Sequence, residues 1–180
     1  MSRIEYLPED VSEPSDVVLE MRGKRQGRRL LEIDRILLHA PDFARAWTAL
    51  AGASRTKSGL PPKLRELAIL GVAALKGGKL SIEYHSPAFL SGGGTQAQLA
   101  SLLRDYEEAS RNETLFDGAE RTVMRLAIEM TRNVKVSDKT FEAVRGLFPD
   151  AERIVNLVGA IALYNMATHL LFALKIKEDY

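Results

Sequence analysis

No cysteine occurs anywhere in the 180 residues. Without a thiol the chain offers no disulfide, no thiolate metal ligand, no Cys-x-x-Cys redox pair and no cysteine nucleophile. Neither sign of charge predominates: 25 Lys and Arg stand against 24 Asp and Glu, for a net charge of +1. Such a balance gives no global drive toward nucleic acid or a membrane surface. Sustained period-2 alternation rich in β-branched residues is missing, and a strand would need it. The only long apolar stretch runs from Ile154 to Leu174, and Asn156, Asn165, Thr168 and His169 interrupt it. Polar groups are costly in lipid, so this stretch reads as a buried core helix and no membrane partner is expected. There is no internal repeat at a fixed period, no low-complexity tract and no internal linker.

What remains is an ordinary globular composition, 46% apolar and 27% charged. At this length a chain buries most of its surface without a metal or disulfide staple. One domain is expected over 1–180, with 1–27 as an N-terminal extension. The N-terminus, MSRIEYLPEDVSEPSD, is acidic and lacks an apolar h-region, so it does not read as a signal peptide. A cytoplasmic location fits.

Helical spacing accounts for most of the chain. A short helix is expected over 15–22, before a segment with two glycines and the cations Arg22, Lys24, Arg25, Arg28 and Arg29. Leu30, Leu31, Ile33, Ile36, Leu37 and Leu38 repeat at helical period, which predicts a helix over 28–39. Pro41 opens the next, with Phe43, Ala46, Trp47 and Leu50 as its apolar stripe. Pro61 and Pro62 open a helix over 62–76, and Gly77-Gly78 ends it. A further helix covers 80–91. Thr95 with Gln98, and Asp117 with Glu120, fit capping boxes for helices over 96–104 and 118–132. Ser137 caps 138–146, and Pro149 opens a long last helix ending near Lys175. The fold class is all-α, with about eight helices and short loops.

One window is more specific. Residues 59–94 read GLPPKLRELAILGVAALKGGKLSIEYHSPAFLSGGG. A helix opened by Leu-Pro-Pro carries Arg65-Glu66-Leu67-Ala68-Ile69-Leu70. A glycine break leads to a second helix with Glu83-Tyr84-His85, then a Gly-rich turn and the capped TQAQLASLL. In order and spacing this resembles the core of the carboxymuconolactone decarboxylase family, which includes alkyl hydroperoxidase D. The upstream segment RLLEIDRILLHAPDFARAWTAL and the downstream Tyr164-Asn165 helix extend the likeness over about 28–172. The resemblance implies an AhpD-like helical fold and a homo-oligomer, a dimer, trimer or hexamer. In the peroxidase-like branch a glutamate precedes Cys-x-x-Cys-x-x-x-His. Glu66 and His85 match the glutamate and histidine, whereas the two cysteine positions fall on Gly78 and Ser81. Thiol-based peroxide reduction needs a thiolate attack and a disulfide, which Gly and Ser do not supply. Decarboxylase-like members do not depend on cysteine. For them a histidine or glutamate serves as general acid or base, without cofactor, on a small carboxylated lactone or related metabolite.

Each candidate residue has a plainer alternative. His85 is the expected proton-transfer group, or else a histidine satisfied in a helix interface. Ser81, four residues earlier, shares its face and is expected to contact substrate. Glu66 sits in an apolar stripe, and a buried carboxylate needs a partner. It either orients His85 or forms a structural ion pair. At ~1.5 Å rise per residue, straight helices leave Glu66 and His85 about 6 Å apart in height, and Arg65 is expected to point away. Glu83 and Tyr84 adjoin His85 as substrate-binding candidates, against solvent exposure and core packing. Asn165 and His169, again four apart, are candidates for an opposite wall, or a buried hydrogen-bonded pair. The basic cluster at 22–29 is a clamp for a substrate carboxylate or a solvated surface. It has no aromatic interleaving and no helix-turn-helix beside it, so no nucleic acid is expected. His39 lies at a helix C-terminus, where an imidazolium is favourable. The three histidines lack metal-like spacing on one helix, so no metal is expected. An enzyme and a non-catalytic ligand-binding or structural oligomer both stay open.

Overall fold

A computed structural model describes residues 2–176, and among these the chain is helical, with no strand. The α-helices are α1 (Ser15–Gly23), α2 (Glu32–Leu37), α3 (Pro41–Thr56), α4 (Pro62–Lys76), α5 (Lys79–Ser91), α6 (Gln96–Arg104), α7 (Tyr106–Ala109), α8 (Gly118–Arg132), α9 (Asp138–Leu147) and α10 (Ala151–Leu174). All but α2 and α7 have nine residues or more. The helix expected over 28–39 shrinks to α2. Gly27 at φ 63° and Arg28 at φ 57° take left-handed backbone there, and a helix cannot run through such residues.

Contacts group the chain into two compact units. One holds the chain up to Lys57 together with the segment from His169; the other is Ser58–Thr168.

In the first unit α1 and α2 pack on α3. Val17, Val18 and Met21 of α1 and Ile33, Ile36 and Leu37 of α2 are buried. The buried stripe of α3 is Ala44, Trp47, Thr48 and Ala51. Phe43 and Leu50, expected inside, are 44% and 50% exposed. The stripe lies one residue further round the helix, because small residues let two helix backbones approach. The basic segment is in part the solvated surface expected, with Lys24, Arg28 and Arg29 exposed, while Arg22 and Arg25 are half-buried and hold internal partners. Asp34, fully buried, accepts from Arg25 Nε at 2.7 Å and Nη2 at 2.5 Å, and from the Leu31 amide at 2.9 Å. Arg22 donates to the carbonyls of Glu9, Val11 and Arg28, and Arg29 pairs with Glu9. These cations tie the lead-in to α1 and α2.

In the second unit α4 is the central element and packs against α5, α6, α7 and α8. Leu67, Ala68, Ile69, Leu70 and Val72 are wholly buried, so α4 is enclosed nearly all round. Each large apolar side chain contributes roughly 1.5–3 kcal/mol by that burial. Gly77, at φ 73°, closes α4 in the left-handed conformation that favours glycine, and α5 starts two residues later. Both expected capping boxes form, at Thr95 with Gln98 and at Asp117 with Glu120. Their third residues also meet, since Gln98 Nε2 donates to Glu120 Oε2 at 3.2 Å, and Lys63 pairs with Glu120. Ser137 caps α9 as expected. Among the described residues α10 is the one helix long and apolar enough to cross a membrane, with a mean hydropathy of 1.7. Its Leu157, Ala160, Ile161, Leu163, Tyr164, Ala167 and Thr168 are buried within the protein.

Candidate functional site

The α4–α5 hairpin brings two groups of opposite chemistry together inside the second unit. Glu66, 2% exposed, sits on the buried face of α4. His85 lies two turns into α5, with 15% of its side chain exposed. Glu66 Oε2 and His85 Nδ1 are 2.7 Å apart. A height difference of the size expected from helix rise does not prevent direct contact. That calculation places Cα atoms, while the two side chains each reach several ångströms further.

Arg65 does not point away either. Its Nε donates to Glu66 Oε1 at 3.0 Å, so the two carboxylate oxygens are divided between a guanidinium and an imidazole. Burial opposes the charge on Glu66. Hydrogen bonding and attraction from His85, and then from Arg65, outweigh burial and hold the carboxyl below its usual range. An ionised carboxylate only accepts. The neutral His85 ring therefore carries its proton on Nδ1, donated to Glu66, and Nε2 bears the lone pair. Tyr164 of α10 meets the His85 ring edge to face, with centroids 4.8 Å apart, and fixes the plane of the imidazole.

Ser81 is buried one turn before His85 on α5, 8% exposed, and so stands on the same face. Glu83 is exposed, and Tyr84 is 42% exposed. Asn165 lies next to Tyr164 but spends its amide elsewhere, donating to Thr131 Oγ1 at 3.1 Å and to the Ile161 carbonyl at 3.0 Å. His169 is exposed and belongs to the other unit. His39, also in that unit, hydrogen-bonds through Nε2 with the Glu5 carbonyl at 2.8 Å. The contact thus joins Arg65, Glu66, His85 and Tyr164, with Ser81 alongside. Sequence reasoning pointed Arg65 away from Glu66 and gave Tyr164 no part in the site. The adjacent Arg-Glu pair in an apolar stripe was a signal for the first; nothing local marked the second.

Two surface concavities lie elsewhere, one between the lead-in and α1, the other beside α7. The first mixes charged groups with apolar surface from Val11, Val18 and Leu19, the second is mainly polar, and neither includes Glu66 or His85. Among the described residues no cluster of three His, Asp or Glu is placed to hold a metal ion.

Comparison with known proteins agrees with this layout. Residues 41–129 match the model of the Carboxymuconolactone decarboxylase family. No protein of curated function matches the sequence. The fold is shared with a Ralstonia eutropha alkylhydroperoxidase AhpD core, an uncharacterized peroxidase-related protein, at TM-score 0.78 and 19% identity over 98% of this chain and 91% of that one. A peroxidase-related protein from Silicibacter superposes at TM-score 0.78 and 16% identity, covering 97% of this chain and 90% of that one. An AhpD-like protein of unknown function from Agrobacterium tumefaciens gives 0.68 and 19%, covering 81% of this chain and 96% of its own. At such identities the structures establish the AhpD-like fold, and the sequence match covers 41–129. Glu66 and His85 both fall inside that segment, no cysteine is present, and it is this segment that matches the carboxymuconolactone decarboxylase family, in a chain of AhpD-like fold without paired thiols.

Proposed function

We propose that this protein is a cofactor-free acid–base lyase acting on a small carboxylated lactone or related metabolite. The observation that carries the reading is the 2.7 Å contact between buried Glu66 and His85. An imidazole held by a carboxylate on Nδ1 presents Nε2 for proton transfer, and the carboxylate stabilises the imidazolium that forms. In a decarboxylation the bond to the departing carboxylate breaks, and its electron pair enters the adjoining unsaturated system as CO2 leaves. His85, first protonated on Nε2 from solvent, delivers that proton to carbon and returns to the neutral ring. Glu66 balances the imidazolium charge in between, and Ser81 contacts the substrate, so that each turnover releases one CO2 and takes up one proton from water. A thiol peroxidase reaction is not proposed, because Gly78 and Ser81 occupy the cysteine positions. A cytoplasmic location and a carboxylated small molecule as partner belong to the same proposal.

A second reading is a non-catalytic ligand-binding or structural oligomer. Apolar side chains left in solvent favour it, with Leu50 on α3 at 50% and Val155 on α10 at 68% exposure. Turnover of a panel of carboxylated lactones, followed by CO2 release, separates the two. The lyase reading expects product from the native protein and at least a hundredfold less from His85→Ala, about the lower bound for general acid–base catalysis. Equal turnover by both removes His85 from the chemistry.

A further inference from the structure

His85 meets Glu66 through one oxygen, and the other oxygen is already taken. We propose that Arg65 is a positioning residue for His85, acting through Glu66. It turns Oε2 toward the ring and offsets part of the carboxylate charge that the ring meets. The proposal rests on the reading that Glu66 and His85 form the proton-transfer pair.

The argument is electrostatic and geometric. A lone buried carboxylate against an imidazole favours the imidazolium strongly and locks the pair as an ion pair. A general acid–base group works best when both protonation states are accessible at the working pH. A cation on the far side of the carboxylate supplies the correction. Arg65 Nε lies 3.0 Å from Oε1, while His85 Nδ1 lies 2.7 Å from Oε2. The side chains of Arg65 and Glu66 are 16% and 3% exposed, so solvent screens the charges little. Successive residues on a helix diverge by about 100°, and helix geometry alone does not bring Arg65 back over its neighbour. Charged and titratable groups at the His85 ring include Glu66 from α4, Arg65 through it, and Tyr164 from α10. Glu83, on α5 itself, is exposed.

The test needs no substrate. Side-chain NMR of His85 is followed against pH in the native protein and in Arg65→Met, Arg65→Gln, Arg65→Lys and Glu66→Gln, each checked for folding by circular dichroism. Arg65→Met and Arg65→Gln move the midpoint of His85 protonation upward by about one pH unit, the size expected for loss of a nearby cation. Arg65→Lys keeps the charge and moves it by less than half as much. Glu66→Gln moves it downward. A purely structural Arg65 would not separate the lysine variant from the two neutral ones. If Arg65→Met does not fold, Arg65→Gln carries the same expectation. An unmoved or lowered midpoint in the neutral variants, with the downward move intact in Glu66→Gln, overturns the role of Arg65 and leaves the pair standing. An unmoved midpoint in Glu66→Gln overturns the pair itself.

Discussion

A carboxylate with 2% of its surface exposed persists in a helical core only when its charge is met. Glu66 meets it twice, through Arg65 and through His85. The consequence for stability has a definite sign. The folded-state value of Glu66 lies below its ordinary 4.5, so the unfolded chain takes up the proton first as pH falls. The stabilisation is complete above that value and is lost as pH drops through the folded one. Glu66→Gln keeps the shape and loses the charge. In urea titrations at pH 7 it should be about 2 kcal/mol less stable than the native protein, toward the low side for a broken buried pair because the amide still hydrogen-bonds. That difference should shrink below pH 4.5. A difference that stays constant down to pH 3 would show that folding does not lower the pKa of Glu66. At this scale much was readable. Ser81 and His85 share a helix face by spacing alone, and the need of Glu66 for a partner follows from its apolar neighbours. The identity of that partner was not readable, since contact across a hairpin depends on side-chain reach.

Among the elements, α4 shows how a short neighbour constrains a long one. Tyr106 of α7 lies across Gly71, and its hydroxyl donates to the Leu67 carbonyl at 3.0 Å. A methyl group at position 71 would sit 2.4 Å from the Tyr106 ring and hydroxyl. Alanine is the better helix former by about 1 kcal/mol, yet here the clash decides, because Tyr106 is buried and has nowhere to turn. Gly71→Ala is therefore expected to lower stability by about 2 kcal/mol, in the range for overpacked cores. Thermal unfolding of Gly71→Ala beside a Gly71→Ala/Tyr106→Ala double variant checks this. If the contact is the cause, adding Tyr106→Ala costs less in the Gly71→Ala background than in the native one. Helices with local signals were legible: the boxes at Thr95 and Asp117, the cap at Ser137 and the glycine stop at Gly77 all act within a few residues. By contrast, α7 has four residues and no periodicity to read. The stripe of α3 was misplaced for a different reason. Size suggested Phe43 and Leu50, while packing selected the small residues one position round.

For the whole molecule, two features remain once both units are packed. The first is the Arg25–Asp34 pair, which secures the basic segment that composition alone presents as free charge. Asp34→Ala leaves Arg25 16% exposed and without this partner, and about 3 kcal/mol of destabilisation is expected by chemical denaturation. The second is exposed apolar surface, at Leu50 on α3 in one unit and, separately, at Val155 on α10 in the other. If it serves self-association, light scattering on the native protein should give a multiple of 20.0 kDa. Leu50→Glu or Val155→Glu should then shift the assembly toward monomer. A native monomer would remove the oligomer from the proposal.

The sequence by itself determined the all-helical class, most helix ends, the absence of thiol chemistry and the family likeness of its central segment, because periodicity, caps and residue type act over a few positions. Only the tertiary structure decided that Glu66 reaches His85, that Arg65 turns back to share it, that Tyr164 closes on the ring and that Arg25 of the basic cluster pairs with buried Asp34. Those outcomes depend on how helices meet across tens of residues, where a few ångströms of side-chain reach separate a buried pair from two unrelated groups.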